Sequence, residues 1–218
     1  MPSPGRVGAS SACSTAPLAP PWAGRVAAAA ILCVGLLGAL VWHATKLDQV
    51  DAWAYRWQEI AHQHAGRAAA VISGTEALVV ALAMLACALL SWRAGRRDAV
   101  LLAVTVVPAA LAAEMLLKQL VHRRWHGDAA LIFPAGHPAV ATSAAVAAAV
   151  VLRVVPVTSR TRLAVALVGG GYVLVVGAAR LVEIVHAFTD VLGGIATGVA
   201  IALGLALAIT WLTRRQQL

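Results

Sequence analysis

The sequence predicts an all-α, polytopic membrane protein: a bundle of six transmembrane helices. Of its 218 residues, 61% are hydrophobic and only 12% are charged, whereas soluble domains average about 25% charged residues. The chain also contains six apolar segments, each near the ~20 residues that a helix needs to cross ~30 Å of hydrocarbon. These segments are residues 26–44, 68–92, 99–117, 138–155, 163–185 and 191–212.

Helices are expected in these segments because a backbone in lipid must satisfy its own hydrogen bonds. Ala and Gly are abundant in the segments and permit close helix packing. Tryptophans mark segment ends, where an aromatic belt at the membrane surface is expected. They are Trp22, Trp42, Trp92 and Trp211.

The predicted domain organisation has three parts. Residues 1–24 are rich in Pro, Ser, Ala and Gly and are expected to be a disordered tail. Residues 25–213 form the six-helix domain, and residues 214–218 a short basic cytoplasmic tail. We interpret the first segment as a retained helix, because its apolar run exceeds the usual 7–15 residues of a signal peptide and no clear Ala-x-Ala site follows.

The polar stretch at residues 48–66 has two interpretations. Trp53, Trp57, Ile60 and His64 recur at helical spacing, which favours a helix lying along the outer membrane surface. A solvated connector between the first two spans is the alternative.

Arginine clusters predict the orientation, because short cytoplasmic loops are enriched in Lys and Arg. Both termini are then cytoplasmic, and the loops after segments one, three and five face outward from a plasma (inner) membrane. Lys46, Arg56 and Arg67 run against this rule, as do the basic residues after segment three. The clusters that set the orientation are Arg93, Arg96 and Arg97; Arg153, Arg160 and Arg162; and Arg214 and Arg215.

The net charge of +8 fits contact with anionic lipid headgroups, because the basic residues are dispersed between apolar runs rather than gathered in a nucleic-acid-binding patch. Three cysteines at unpaired spacings argue against a disulfide framework or a zinc site. His62 and His64 are a weak signal for a metal, because two histidines without a carboxylate or cysteine partner seldom form a site, and no cluster of aspartates could hold divalent cations. We therefore expect no metal, no cofactor, no nucleic acid and no obligate protein partner.

Charged residues at the ends of apolar runs are the functional candidates, because a charge at mid-bilayer depth costs roughly 2.5–3.5 kcal/mol or more. Lys118 offers a point charge, and Arg123 offers a planar fork of donors that matches phosphate oxygens. His137 is expected at a helix N-terminus, where free N–H groups favour an anion, and Gly136 lets the backbone approach a phosphate closely.

A second group follows about forty residues later: Arg180, His186 and Asp190. His186 and Asp190 are four residues apart and share one face if the chain is helical there. A carboxylate on one imidazole nitrogen fixes the tautomer and leaves the other nitrogen free to act as a nucleophile.

The ordered pattern Lys-x4-Arg, Pro-Ala-Gly-His and Arg-x5-His-x3-Asp resembles the type-2 phosphatidic acid phosphatase superfamily. Its members include six-helix membrane enzymes that hydrolyse lipid phosphates and polyprenyl diphosphates, such as undecaprenyl diphosphate, without a metal. The resemblance implies a membrane phosphatase with a lipid phosphate substrate and an active site on the outer face. It runs from about residue 48 to the end of segment six.

The resemblance also implies residue roles. His186 attacks phosphorus and forms a phosphohistidine, Asp190 orients His186, and His137 protonates the leaving oxygen and then activates water. One neutral and one protonated histidine are needed together, so a bell-shaped pH profile is expected. The phosphate-binding residues would be Lys118, Arg123, Arg180, Gly136 and Ala135.

The sequence departs from the family's pattern in three places. The family commonly has Lys-x6-Arg-Pro in the first element, whereas position 125 here is Trp; Arg123 is the chosen equivalent and Arg124 the reserve. Ala135 and Ala179 stand where serines are usual. Losing one neutral hydrogen bond costs roughly 0.5–1.5 kcal/mol, so weaker activity or an altered preference is expected rather than an inactive site.

Three carboxylates lie near these motifs. Glu114 is four residues before Lys118, and we interpret it as a partner that positions the ammonium group, although an intramembrane carboxylate is also a functional candidate. Glu183 is expected to pair with Arg180. No partner is predicted for Glu76.

Two other functions are compatible with the same residues. An alcohol or a lipid headgroup could intercept the phosphohistidine, which would make the protein a phosphotransferase. Because one serine is missing, a non-catalytic protein that binds or transports phosphate lipids is the third hypothesis. The sequence indicates neither the headgroup nor the tail of the lipid, nor whether it is a mono- or a diphosphate.

Overall fold

The computed structural model describes residues 16–44, 49–124 and 131–216, which form a helical bundle. All six helices are long and apolar enough to cross a membrane, so the predicted fold class is confirmed. Within the described residues no strand occurs beyond one isolated antiparallel bridge between Arg124 and Leu131. The helices are Ala23–Leu40 (α1), Gln49–Arg93 (α2), Arg97–Val121 (α3), Gly136–Val154 (α4), Ser159–Val182 (α5) and Phe188–Arg215 (α6).

Burial separates two central helices from four peripheral ones. α4 is the most buried span and α6 the next, while α1, α2, α3 and α5 expose large apolar side chains such as Leu36, Leu82 and Leu167. Contiguous apolar surface of this extent is rare on soluble monomers, and it suits helices whose outer faces contact lipid.

The contact between α4 and α6 depends on glycine. A Cβ at Gly194 would overlap the carbonyl oxygen of Ala135, and a Cβ at Gly198 would press against α4 near Ala139. The absence of side chains lets the two backbones approach closely. This packing fixes the N-terminus of α6 beside the N-terminus of α4.

Helix α2 is longer than the second apolar segment. Its 45 residues correspond to about 67 Å at 1.5 Å per residue, twice the hydrocarbon thickness. The stretch at residues 48–66 is therefore not a simple connector; where it is described it is helical and continuous with the second span. This first half reaches the ends of two other helices, since His62 Nδ1 lies 2.8 Å from the Val182 carbonyl oxygen and Asp51 contacts Thr189.

The helix order creates two distinct ends of the bundle. We call one the histidine end: there α3 and α5 finish, α4 and α6 begin, and His137 and His186 lie. The opposite end, the arginine end, joins α2 to α3 and α4 to α5. It carries all three arginine clusters that were used to predict the orientation.

Part of the predicted N-terminal tail packs against the bundle instead. Leu18 and Ala19 are buried, and the Ala19 N–H donates to Thr210 Oγ1 at 3.0 Å. Arg96 also donates to the Ala16 carbonyl oxygen at 2.9 Å. Two apolar side chains and these hydrogen bonds are enough to hold the segment ahead of α1. Residues 1–15 and 217–218 lie outside the described residues.

Candidate active site

Four helix ends bring the predicted residues together at the histidine end. Lys118 lies in the last turn of α3 and Arg180 in the last turn of α5, while His137 is in the first turn of α4. His186 precedes α6, and Asp190 lies in its first turn. His137 and His186 are close enough to interact electrostatically, and Arg180 interacts with His137 in the same way.

Both carboxylate oxygens of Asp190 accept hydrogen bonds. Oδ2 accepts a hydrogen bond from the Ala187 N–H at 2.8 Å, which satisfies a free N–H at the start of α6. Oδ1 accepts one from Arg123 at 2.6 Å. The buried His186 places Nδ1 3.9 Å from Asp190 Oδ2, and that nitrogen has no hydrogen-bond partner among the described residues. The carboxylate is thus fixed in position beside the imidazole.

Arg123 lies inside a carboxylate network. Its side chain is only 2% exposed, and its guanidinium donates to Asp190 through Nη1 and to Asp51 through Nη2, each at 2.6 Å. Thr189 completes the cluster, because its hydroxyl accepts from Arg123 at 2.6 Å and donates to Asp51 at 2.7 Å. Nη1 and Nη2 therefore already donate to Asp190, Thr189 and Asp51. Few donors of the guanidinium remain for the phosphate binding predicted from the sequence.

The reserve candidate Arg124 lies in a different environment. It is exposed, and its backbone N–H donates to the Ala44 carbonyl oxygen at 3.1 Å, which joins the loop after α3 to the end of α1.

Glu76 of α2 faces the second histidine. Its carboxylate is only 3% exposed, lies 3.8 Å from His137 Nε2, and has no hydrogen-bond partner among the described residues. His137 itself is 42% exposed. A second histidine–carboxylate pair is therefore present, and it supplies Glu76 with the partner that the sequence did not indicate.

The predicted pair of Glu114 and Lys118 is present, with 2.7 Å between Oε1 and Nζ. The Glu114 carboxylate also lies against the backbone of Gly136, where any Cβ would overlap it. Gly136 thus admits an anionic group to the N-terminus of α4, where helix N–H groups favour negative charge.

The predicted pair of Arg180 and Glu183 is also present, at 2.5 Å. Ser73 of α2 donates to the same Glu183 oxygen at 3.1 Å. Nε of Arg180 is buried without a partner in the described part of the chain, so this guanidinium retains a donor for a ligand.

Ala135, predicted to contribute to phosphate binding, is fully buried at the N-cap of α4. Its N–H donates to the Asp190 carbonyl oxygen at 3.0 Å. This backbone donor therefore ties α4 to α6, and the methyl side chain adds no polar group.

A cavity of about 610 Å³ leads away from this cluster. Ser73, Glu76, Glu114 and His137 line one end, together with Gly136. The rest of the wall comes from apolar side chains of α2, α3 and α4. Those residues are Ala77, Val80, Ala81, Met84, Leu85, Ala88, Ala103, Val104, Val107, Leu111 and Val140.

The other described histidines make contacts outside the two histidine–carboxylate pairs. His43 and His122 stack with ring centroids 5.5 Å apart, and His64 accepts or donates at the Ile60 carbonyl oxygen. His126 lies outside the described residues. Within the described ranges, no group of three or more His, Cys, Asp or Glu side chains could hold a metal ion.

Helix α2 supplies the residues that sequence reasoning missed. Asp51 and Ser73 were not singled out, and Glu76 was noticed without a partner. The available signal was the helical face of α2: Asp51, Gln58 and Glu76 all lie on its buried side, where a polar residue requires a partner.

Comparison with known proteins agrees with the recognised motifs. Residues 121–215 match the model of the PAP2 superfamily. A solved transmembrane PAP2-type phosphatidylglycerolphosphate phosphatase from Bacillus subtilis shares the fold, with a TM-score of 0.68 and 18% sequence identity. The alignment covers 87% of this chain and 96% of that one. No curated protein matches the sequence. The PAP2 region contains every predicted site residue except Glu114 and Lys118, and it supports a lipid phosphatase function for this integral membrane protein.

Proposed function

We propose that this protein is an integral membrane phosphatase that hydrolyses a lipid phosphate or polyprenyl diphosphate through a phosphohistidine, without a metal. The observation that carries the proposal is the shape and polarity of the 610 Å³ cavity. Its polar end holds His137 and the N-terminus of α4 together with the carboxylates of Glu76 and Glu114, and the rest of its wall is apolar. An amphiphile with a phosphate head and a hydrocarbon tail matches both parts.

The proposed mechanism begins at His186. Because Nδ1 is turned toward Asp190, Nε2 is free to attack phosphorus in line while the bond from phosphorus to the leaving oxygen breaks. His137 donates a proton to that oxygen. In the second step His137 takes a proton from water, the water oxygen bonds to phosphorus, and the P–N bond to His186 breaks to release inorganic phosphate.

Phosphate binding is proposed for Lys118, Arg180 and the Gly136 N–H. Both cations are paired with carboxylates in the structure, so the phosphoryl oxygens must compete with Glu114 and Glu183 for them. Binding by such preorganised donors stabilises the charge that redistributes in the transition state.

The test is phosphate release by the purified protein in detergent with EDTA. Phosphatidate, phosphatidylglycerophosphate and a polyprenyl diphosphate are the substrates, and wild type should release phosphate from at least one of them. His186→Ala should abolish release. His64→Ala, which changes an exposed histidine outside the cluster, is the matched control and should retain it. Retained turnover in His186→Ala would refute the phosphohistidine.

The same assay separates the other functions. Transfer of labelled phosphate to an added alcohol would identify a phosphotransferase. Binding of a phosphate lipid with no release or transfer would identify a non-catalytic protein.

We further propose that both termini are cytoplasmic and that the histidine end faces outward. Two arginine clusters at the opposite end support this orientation. They are Arg93, Arg96 and Arg97, and Arg153, Arg160 and Arg162. Reporter domains fused to the C-terminus should be active only if they work in the cytoplasm; activity of a reporter that requires export would reverse the orientation.

A further inference from the structure

Asp51 is a buried acid that none of the recognised motifs contains. It lies in the first turn of α2, and its side chain is fully buried. Oδ1 accepts from the Thr189 N–H at 3.0 Å, and Oδ2 accepts from the Thr189 hydroxyl and from Arg123. Removing a carboxylate from water is unfavourable, and the hydrogen bonds from Thr189 and Arg123 offset that cost.

The charge of the cluster has a consequence for His186. When all three groups are ionised, Asp51 and Asp190 contribute two negative charges and Arg123 one positive charge, which leaves a net charge of −1. Without Asp51, Arg123 would neutralise Asp190. A carboxylate stabilises a positively charged imidazole only while its own charge is not cancelled nearby.

Among the described residues, two further pairs at the histidine end each join one acid to one base. Lys118 pairs with Glu114, and Arg180 pairs with Glu183, one to one. Glu76 lies beside His137 rather than His186. Within the described residues, the second acid on Arg123 thus contributes negative charge next to the Asp190–His186 pair.

We propose that Asp51 is a positioning residue of the active site, which balances the charge of Arg123 so that Arg123 can fix Asp190 without neutralising it. The inference rests on the proposed phosphatase function. It also assigns Arg123 to Asp190 rather than to the phosphate, in agreement with its burial and with its unusual distance from Lys118 in the sequence. Thr189 contributes by tying the first turn of α6 to α2.

The test compares Asp51→Asn, Arg123→Gln and the double variant for kcat, KM and melting temperature. Asp51→Asn leaves these three side chains neutral in sum and should lower kcat roughly 10- to 100-fold, by analogy with residues that orient the ligands of a metal, with little change in KM. The double variant restores the net charge of −1 and should recover part of kcat relative to Asp51→Asn. A purely structural network would instead lose more when both partners change.

Asp98→Asn is the matched control. Asp98 is a largely buried acid that binds Arg96 at 2.7 Å at the arginine end, far from the histidines. This variant should lower the melting temperature and leave kcat per folded molecule at the wild-type value.

Three results would overturn the inference. They are an unchanged kcat in folded Asp51→Asn, a double variant no more active than Asp51→Asn, and failure of Asp51→Asn to fold, which would assign Asp51 to stability alone. In each case phosphate release by wild type still supports the proposed function. Absence of phosphate release from wild type removes the function and this inference together.

Discussion

The two histidine–carboxylate pairs of the site have similar separations but differ in the hydrogen bonds that their carboxylates accept. His186 lies 3.9 Å from Asp190, and His137 lies 3.8 Å from Glu76. Both oxygens of Asp190 accept hydrogen bonds, from Arg123 and from the backbone of Ala187. Neither oxygen of Glu76 has a hydrogen-bond partner among the described residues. In the described part of the chain, two helices and two loops hold the first pair, through Asp190, Asp51, Arg123 and Ala187, whereas the second pair consists of one residue from α2 and one from α4.

This difference suits the two proposed roles. A nucleophile must attack in line, so its imidazole benefits from a carboxylate that cannot move. An acid–base residue must reach two atoms in turn, because it first protonates the leaving oxygen and then takes a proton from water. The 42% exposure of His137 lets both the leaving oxygen and the water approach its imidazole. The contrast therefore predicts that damage to the Asp190 pair affects every substrate, whereas damage to the Glu76 pair depends on the leaving group.

The largest effect is expected for Asp190→Asn. The amide cannot stabilise a positively charged His186, and in Ser-His-Asp triads the equivalent change lowers kcat about 10⁴-fold. We expect a loss of this order for a lipid phosphate and for an aryl phosphate alike, because the nucleophile is needed for both. Steady-state phosphate release measures it. An aryl phosphate that is still hydrolysed at the wild-type rate would show that Asp190 does not serve the nucleophile.

His137→Ala should have a smaller and selective effect. General acid–base catalysis typically contributes 10²–10⁴-fold, and this loss is expected with a lipid phosphate, whose alkoxide leaving group needs a proton. The aryloxide of an aryl phosphate can leave without being protonated, so a much smaller loss of rate is expected for the first step. Single-turnover rates on the two substrates provide the measurement, and equal losses on both would remove the role of acid from His137.

The same substrate pair tests Glu76, with a smaller expected effect. Glu76→Gln keeps the size of the side chain and removes the charge beside His137, so we expect kcat for the lipid phosphate to fall roughly 10-fold and the rate with the aryl phosphate to change little. Glu59→Gln changes an exposed acid of the same helix and should affect neither. A Glu76→Gln loss shared by both substrates would place Glu76 outside the action of His137.

The sequence was sufficient to predict one of these pairs and not the other. His186 and Asp190 are four residues apart, so their closeness in sequence predicts that they meet. They do so although His186 lies in the bend before α6 rather than in the helix itself. Glu76 and His137 are 61 residues apart, and Asp51 and Thr189 are 138 apart. Their contacts depend on how α2 packs against the N-terminal ends of α4 and α6, which no local pattern reports. The six spans were predictable for the opposite reason, since each is specified by its own composition.

Arg123 shows the limit of a motif match. Its position after Lys118 predicts a phosphate ligand, because guanidinium groups match phosphate oxygens. The same fork also matches carboxylates, and two acids reach it in the folded protein. The residue type predicts that Arg123 binds anions, and the packing of α2 and α6 adds two carboxylate partners that the motif does not indicate.

The smallest expected effect concerns Glu114, whose carboxylate occupies the N-terminus of α4 and pairs with Lys118. An anion at that place competes with phosphate, so Glu114→Gln should tighten inhibition by inorganic phosphate roughly two- to fivefold, equivalent to about 0.5–1 kcal/mol. If Glu114 acts chiefly by positioning Lys118, the same variant should instead weaken phosphate binding and raise KM. Glu59→Gln again serves as the control. The sign of the change in the inhibition constant therefore distinguishes two roles for Glu114. A lower constant indicates a carboxylate that competes with phosphate, and a higher one indicates a carboxylate that positions Lys118 to bind it.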